Sequence, residues 1–223
     1  MAMLRLRHFP LCPFSRKVRL ALHEKELRPE LEPVEPWEQQ VALVVLNPAA
    51  EVPVLEDGDQ VVVDSGVICE YLEETRPEPN LLGQSVAERA EIRRLVAWFD
   101  LKFLREVVDL IWGEKLIKRV RDRTTPDSAL VRVGLANIHP HLEYIAFLFD
   151  RRNWLAGDVI SLADMAAAAH LSVLDYLGDV PWDRHPEAKL WYSRIKSRPS
   201  FRPLLLDRLP GLRPPAHYDD LDF

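Results

Sequence analysis

Cys12 stands directly before Pro13 in the run Cys12-Pro13-Phe14-Ser15-Arg16-Lys17-Val18-Arg19. Proline is a good first helical residue, so this thiol is placed at a helix start. Free backbone N–H groups, the positive helix end, and Arg16 and Lys17 nearby are a setting that lowers a thiol pKa. Such a cysteine can act as a nucleophile or form a mixed disulfide; the alternative is a half-buried cysteine with no chemistry. Ser65 opens another apolar helical run. It can donate to a carboxylate while adjacent N–H groups favour an anion, or it can be an N-cap and nothing more. Cys69, four residues on, falls beside the apolar stripe and reads as core.

Other chemistries leave no trace. His139-Pro140-His141 diverge around a proline with no third ligand nearby, so a helix or turn surface is the reading rather than a metal. The eight glycines form no G-x-x-x-x-G-K-[ST] and no G-x-G-x-x-G, and neither H-E-x-x-H nor G-x-S-x-G occurs. Two cysteines cannot build a disulfide framework and imply a reducing, intracellular compartment. The 29 basic residues against 35 acidic ones give a net charge of -6, which argues against general affinity for nucleic acid. Neither uncharged stretch, 41–50 or 165–174, approaches the roughly 18 residues of a membrane span. With no signal peptide at the N-terminus, the expectation is a cytoplasmic protein without membrane insertion.

The elements that must position these residues change character along the chain. Leu4-Arg5-Leu6-Arg7 alternates as a strand does. Val18, Leu20, Ala21 and Leu22 read as a helix, 31–35 as a short strand, and 37–46 as helical or irregular. Val52-Pro53-Val54-Leu55 and Gln60-Val61-Val62-Val63 flank Asp57-Gly58, a hairpin signature. With Ser65 as N-cap, Val67, Ile68, Tyr71 and Leu72 form the stripe of a further helix. The order is βαβα, then ββα. Pro77, Pro79 and Asn80 mark a linker, after which the helical period dominates. Ile92, Leu95, Val96, Phe99, Phe103, Val107, Leu110 and Ile111 keep to one face of a long helix, and 135–149, 161–177 and 187–197 follow as helices. Ser161-Leu162-Ala163-Asp164 reads as a capping box with Ile160 and Met165 as a hydrophobic staple. The expected organisation is an α/β domain over 1–75, a linker over 76–85, an all-α domain over 86–205 and a tail over 206–223.

Four motifs in this order resemble the cytosolic glutathione transferases, over residues 1 to about 205. The Cys12–Arg19 run is similar to the first strand-to-helix turn of the cysteine-bearing classes. Asn47-Pro48-Ala49-Ala50-Glu51-Val52-Pro53-Val54-Leu55 resembles the segment leading to the family's cis-proline, here Pro53. Asp64-Ser65 resembles the acidic-serine pair that holds the γ-glutamyl end of glutathione, and 161–164 the family's capping box. The resemblance implies a thioredoxin-like N-terminal domain on an all-α C-terminal domain. It also implies a glutathione site at Cys12, Glu51, Val52, Pro53, Asp64 and Ser65.

That site departs from the family at Glu51, where Lys, Arg or Gln is usual, and at Ala50, where glycine is common. A repulsive contact to anionic glutathione costs on the order of 1–3 kcal/mol at partial exposure, and less if Glu51 points into solvent. The expectation is an impaired, vestigial site, no catalysis and no cofactor; the alternative is a glutathione-dependent thiol transferase using Cys12. Trp37, after Glu35-Pro36, is either an exposed interface anchor or core. In the tail, Pro210, Pro214 and Pro215 favour an extended, polyproline-like course. Tyr218, Leu221 and Phe223 then interleave with Asp219, Asp220 and Asp222. Such a segment suits a basic groove; the alternative is a tail lying on its own helical domain. As a partner-binding tail it could be removed from Tyr218 on without changing the melting temperature. Lys115, Lys118, Arg119, Arg121 and Arg123 form a basic run that is either a solvated helix face or a contact for an acidic partner.

Scaffold, Glu51, Trp37 and the tail from Pro214 to Phe223 together resemble the glutathione-transferase-like division proteins of alphaproteobacteria. This implies a homodimer at the division site that binds the tubulin-like protein FtsZ, organises its filaments and supports constriction through septal wall synthesis. The old pocket region would then be a protein-binding surface.

Overall fold

The computed structural model describes residues 4–38 and 40–221; Asp222 and Phe223, expected to bind a partner, lie outside the described residues. Strand β1 (Leu4–His8) leads into helix α1 (Pro13–Glu24), followed by β2 (Glu30–Pro33), α2 (Val41–Leu46), the hairpin β3 (Val54–Asp57) and β4 (Gln60–Val63), and α3 (Ser65–Thr75). The sheet order is β2-β1-β3-β4. β1 and β2 are parallel through the α1 crossover, and the other pairs are antiparallel. The βαβ unit followed by a hairpin and helix is the expected thioredoxin-like half.

The alternation in β1 buries Leu4 and Leu6 against α1 and α3, where Leu55 and Val62 join them. Asp57 and Gln60 close the hairpin, with Gly58 at φ 62° supplying the left-handed turn residue. The cap of α3 corrects one expectation. Asp64, not Ser65, is the N-cap: its carboxylate accepts from Gly66 N at 2.7 Å and Val67 N at 3.2 Å. Ser65 is the first helical residue and is buried.

The second half is helical: α4 (Val86–Ala97), α5 (Trp98–Asp122), α6 (Ser128–Arg151), α7 (Leu162–Tyr176), α8 (Pro186–Lys196) and the short α9 (Arg202–Leu205). α5 continues α4 without a break in the wider π-helical turn, and buries Phe99, Phe103, Val107 and Ile111 at every fourth position. The two form the long helix expected from the 92–111 stripe.

All fifteen residues of α7 are buried, so its start must be satisfied internally. Ser161 N donates to the Asp164 carboxylate at 3.1 Å and Ala163 N donates to Ser161 Oγ at 3.3 Å, within a complete capping box. The same carboxylate accepts from Leu155 N at 2.9 Å and Trp191 Nε1 at 3.0 Å. Asp164 therefore ties the preceding loop and α8 to α7, beyond the capping role its spacing announced.

α1 packs along α7, joining the two halves. The contact is polar as well as apolar. Buried Arg16 donates to Pro10 O (2.8 Å), Ser172 Oγ (2.9 Å) and Asp207 Oδ2 (3.1 Å). Arg19 donates to the same Asp207 oxygen at 2.8 Å. Lys17 is paired with Asp100, whose other oxygen lies 3.1 Å from His170 Nε2. Removing one partner from such a pair would leave a buried charge uncompensated.

The tail folds back. Leu209 and Leu212 form a β-bridge, Pro215 adopts a polyproline-like conformation, and 216–218 make one 3₁₀ turn. Tyr218, expected as a partner anchor, is fully buried: its ring meets Tyr176 edge-on at 5.2 Å and its hydroxyl donates to Leu204 O at 3.2 Å. The tail up to this point lies on its own domain. Pro214, Pro215 and Leu221 are half-buried, and Asp219 and Asp220 are exposed.

Four of the five cations of the basic run find partners within the chain. Lys115 pairs with Asp179 at 2.5 Å, Lys118 with Glu114 at 2.6 Å and Arg121 with Asp122 at 2.7 Å, while Arg119 donates to Gly211 O at 2.9 Å. His139 and His141 both lie on α6. His141 is buried against Trp98 and Glu106 rather than on the surface, and His139 Nδ1 lies 2.8 Å from His185 Nε2. Among the described residues no group of three or more metal-ligating side chains comes together, and no helix is long and apolar enough to cross a membrane.

Candidate functional site

The sheet brings the predicted site residues to one end. Pro53 and Asp64 each lie one residue beyond the Val54–Val63 rung that ends the hairpin pairing. β1 runs beside β3, and the loop after it delivers Cys12 to the start of α1. Cys12 Sγ lies 4.0 Å from Val52 O, directly before the cis Val52–Pro53 peptide. Val52 is half-buried and Pro53 buried. Asp64 adopts a left-handed conformation (φ 71°), so the chain turns sharply from β4 into α3.

The thiol does not behave as its position suggested. Burial pushes the Cys12 pKa up and outweighs the hydrogen bonds from Ser15 and Phe14 and the charge of Arg16. Arg16 and Lys17, which should have helped stabilise a thiolate, point away into the joint between the halves. A desolvated thiol without a committed counter-charge stays protonated, and a thiol is a far weaker nucleophile than a thiolate. Cys69 is core, as its stripe implied, and burial pushes its thiol up to about 12.

Glu51 is exposed at the entrance to this corner. Its peptide oxygen accepts from Asn47 Nδ2 at 2.9 Å, and Asn47 Oδ1 accepts from Ala49 N at 3.1 Å. Asn47 thus braces the loop from inside, and Ala50 takes the left-handed φ of 55° that a glycine would adopt without strain. The segment that carries Glu51 is acidic, although Glu30, Glu32, Glu56, Asp57, Glu70 and Glu73 within it are paired with Arg or Lys from outside it. From residue 29 to residue 75 the chain has no Lys, Arg or His and has twelve Asp or Glu. Glu51 alone, screened by water, repels an anion weakly; a neighbourhood of one sign repels it more.

Trp37 lies in a 3₁₀ turn (Pro36–Glu38) beside the Cys12 loop. Its ring meets buried Phe9 edge-on at 5.0 Å, and Cys12 N donates to Phe9 O at 3.0 Å. Its indole Nε1 donates to Glu35 Oε2 at 3.1 Å. The residue is half-buried, neither free nor enclosed. Phe9, which carries Trp37, and Asn47, which braces the loop before Pro53, are supporting residues to which the sequence reading gave no role. Only Asn47-Pro48 carried a signal, since that dipeptide favours turns.

Family models match both halves: the glutathione S-transferase N-terminal domain over residues 6–80 and the C-terminal domain over 126–199. The chain is 52% identical to FtsZ-localized protein A of Caulobacter vibrioides, over 98% of its own length and 97% of that protein's. It belongs to the glutathione S-transferase family. Solved structures of similar chains agree along nearly the whole length. A glutathione S-transferase from Rhodospirillum rubrum F11 is 55% identical with a TM-score of 0.97, covering 99% of this chain and 100% of that one. FzlA from C. crescentus is 52% identical with a TM-score of 0.96 at the same coverage. A glutathione S-transferase from Sinorhizobium meliloti 1021 is 44% identical, with a TM-score of 0.94 and full coverage of both chains. As a member of this family the chain has the thioredoxin-like and helical halves expected of it.

Proposed function

We propose that this protein is a non-catalytic, homodimeric glutathione S-transferase relative that binds FtsZ at the division site in the cytoplasm. There it would organise FtsZ filaments and support constriction, using no cofactor. The observation that carries the reading is the similarity to FtsZ-localized protein A, which runs through the tail as well as both halves. The site supports it: the Cys12 thiol is held protonated by burial, and the surroundings of Glu51 disfavour an anionic tripeptide. Trp37, half-buried on Phe9, offers an indole face held rigid enough to anchor a partner. The exposed end of the tail, Asp219 and Asp220 with Leu221 beneath, is the segment suited to the septal wall synthesis machinery.

Co-sedimentation with FtsZ polymers tests this directly. The protein is expected in the pellet with FtsZ and in the supernatant without it; remaining in the supernatant in both cases refutes the reading. Trp37→Ala should weaken binding with the fold intact, and an unchanged dissociation constant would remove Trp37 from the interface.

A second reading is favoured by Cys12 Sγ facing Val52 O beside the cis-proline: a glutathione-dependent thiol transferase held together by Pro53, Asp64 and Ser65. Titration calorimetry with glutathione separates the two. Saturable binding, with turnover that disappears in Cys12→Ser, would establish the second.

A further inference from the structure

Helix α2 has the sequence Val41-Ala42-Leu43-Val44-Val45-Leu46, with no polar side chain. A helix apolar all round belongs in a core. Here only Leu43 is buried. Val41 is 78% exposed, Val45 75% and Val44 37%, and these positions i, i+3 and i+4 share one face. Single exposed valines are ordinary, but a contiguous apolar face rimmed by charge marks an interaction site.

The rim identifies the partner's chemistry. Glu35 and Glu38 precede the helix and Glu51 follows it, all three exposed. Among the described residues none of the three has a Lys, Arg or His within ion-pair distance; Glu35 and Glu38 accept only from Trp37 Nε1 and Gln40 Nε2. The whole stretch of 29–75 offers no cation to neutralise them. By contrast, the Glu residues of β2 on the same edge are paired with Arg5 and Arg7 of β1. Unpaired carboxylates around an apolar face complement a segment with Lys or Arg flanking aliphatic side chains, and repel an acidic one.

We propose that the Val41–Val44–Val45 face of α2, rimmed by Glu35, Glu38 and Glu51, is a docking surface for a basic, aliphatic segment of FtsZ. This rests on the FtsZ reading above. It extends the interface from Trp37 along the next helix and fixes the sign of the charge that FtsZ must present. The valines supply affinity through desolvation, and the carboxylates supply register and a salt-sensitive association rate.

Co-sedimentation with FtsZ polymers is measured for the wild-type chain, V41S/V45S and E35K/E38K, each checked by thermal melting. Both valine side chains are solvated in the free protein, so the melting temperature should be unchanged. Losing two valines from a desolvated contact should weaken binding by about ten-fold or more. The charge reversal should weaken it as well, and added salt should weaken the wild type more than E35K/E38K. If the wild type pellets and V41S/V45S pellets equally, the α2 face is not the contact. If E35K/E38K binds more tightly, the occupant is acidic and the proposal is wrong. If the wild type itself fails to pellet, the FtsZ reading falls and this inference falls with it.

Discussion

Truncating Tyr218 to alanine should destabilise the whole protein, although only five residues follow it in the sequence. The ring is fully buried, meets Tyr176 edge-on at 5.2 Å, and lies under Lys196 Nζ at 5.8 Å from the ring centroid. Lys196 also donates to His217 O at 3.0 Å, one residue earlier. Removing a buried aromatic ring costs about 3–5 kcal/mol from lost transfer energy and the cavity left behind. For a chain of this size about 1 kcal/mol shifts the melting temperature by about 2–4 °C. The expected fall is therefore between about 6 and about 20 °C. Tyr218→Phe keeps the ring and loses the hydroxyl that donates to Leu204 O and meets buried Arg16, so it should cost about 1–3 kcal/mol. Ending the chain after Tyr218 removes the exposed Arg208–Asp219 pair and the partly buried Leu221, so it should cost less than Tyr218→Ala; ending it after His217 should behave like Tyr218→Ala. Thermal unfolding by circular dichroism measures all four. If Tyr218→Ala melts within a degree of wild type, the tail does not anchor on its own domain, and Tyr218 returns to the list of residues free to meet a partner.

Three further outcomes are expected. His8 is buried with Nδ1 lacking a hydrogen-bond partner among the described residues, and burial followed by the charge of Arg19 lowers its pKa to about 4. Its folded pKa is below the unfolded value, so its contribution is complete above about pH 6.5 and is lost as the pH falls towards 4, on the order of 3 kcal/mol in all; urea unfolding at several pH values should show this slope, and a His8→Gln variant with the same slope would refute it. Burial holds the Cys12 thiol protonated, so iodoacetamide should modify it more slowly at neutral pH than it modifies an unstructured cysteine peptide; faster modification, mapped to Cys12 by mass spectrometry, would mean that the helix start controls the thiol after all. Ala50→Gly should raise stability by about 0.5–1 kcal/mol, because relief of the left-handed strain at φ 55° exceeds the added chain entropy; a lower urea midpoint would show that the loop is not strained there.

What the sequence determined by itself is what local spacing controls. The alternation of Leu4 and Leu6, the Asp57-Gly58 turn, the Ser161–Asp164 box and the four-residue recurrence of Phe99, Phe103, Val107 and Ile111 each engage neighbours a few positions away. Their pattern therefore specified the two halves and their order. The thiol, the cap of α3 and the tail needed the tertiary structure. Arg16 and Lys17 looked like partners for Cys12, but the fold gives them Asp207, just after α9, and Asp100, on α5, both distant in sequence. Asp64 displaced Ser65 as the cap because only it has the left-handed turn that aims a carboxylate back at the free N–H groups. Tyr218 reads as an exposed anchor beside three aspartates until Tyr176 and Leu204 enclose it. Burial and ion pairing depend on which distant residues arrive, and no spacing along the chain records that.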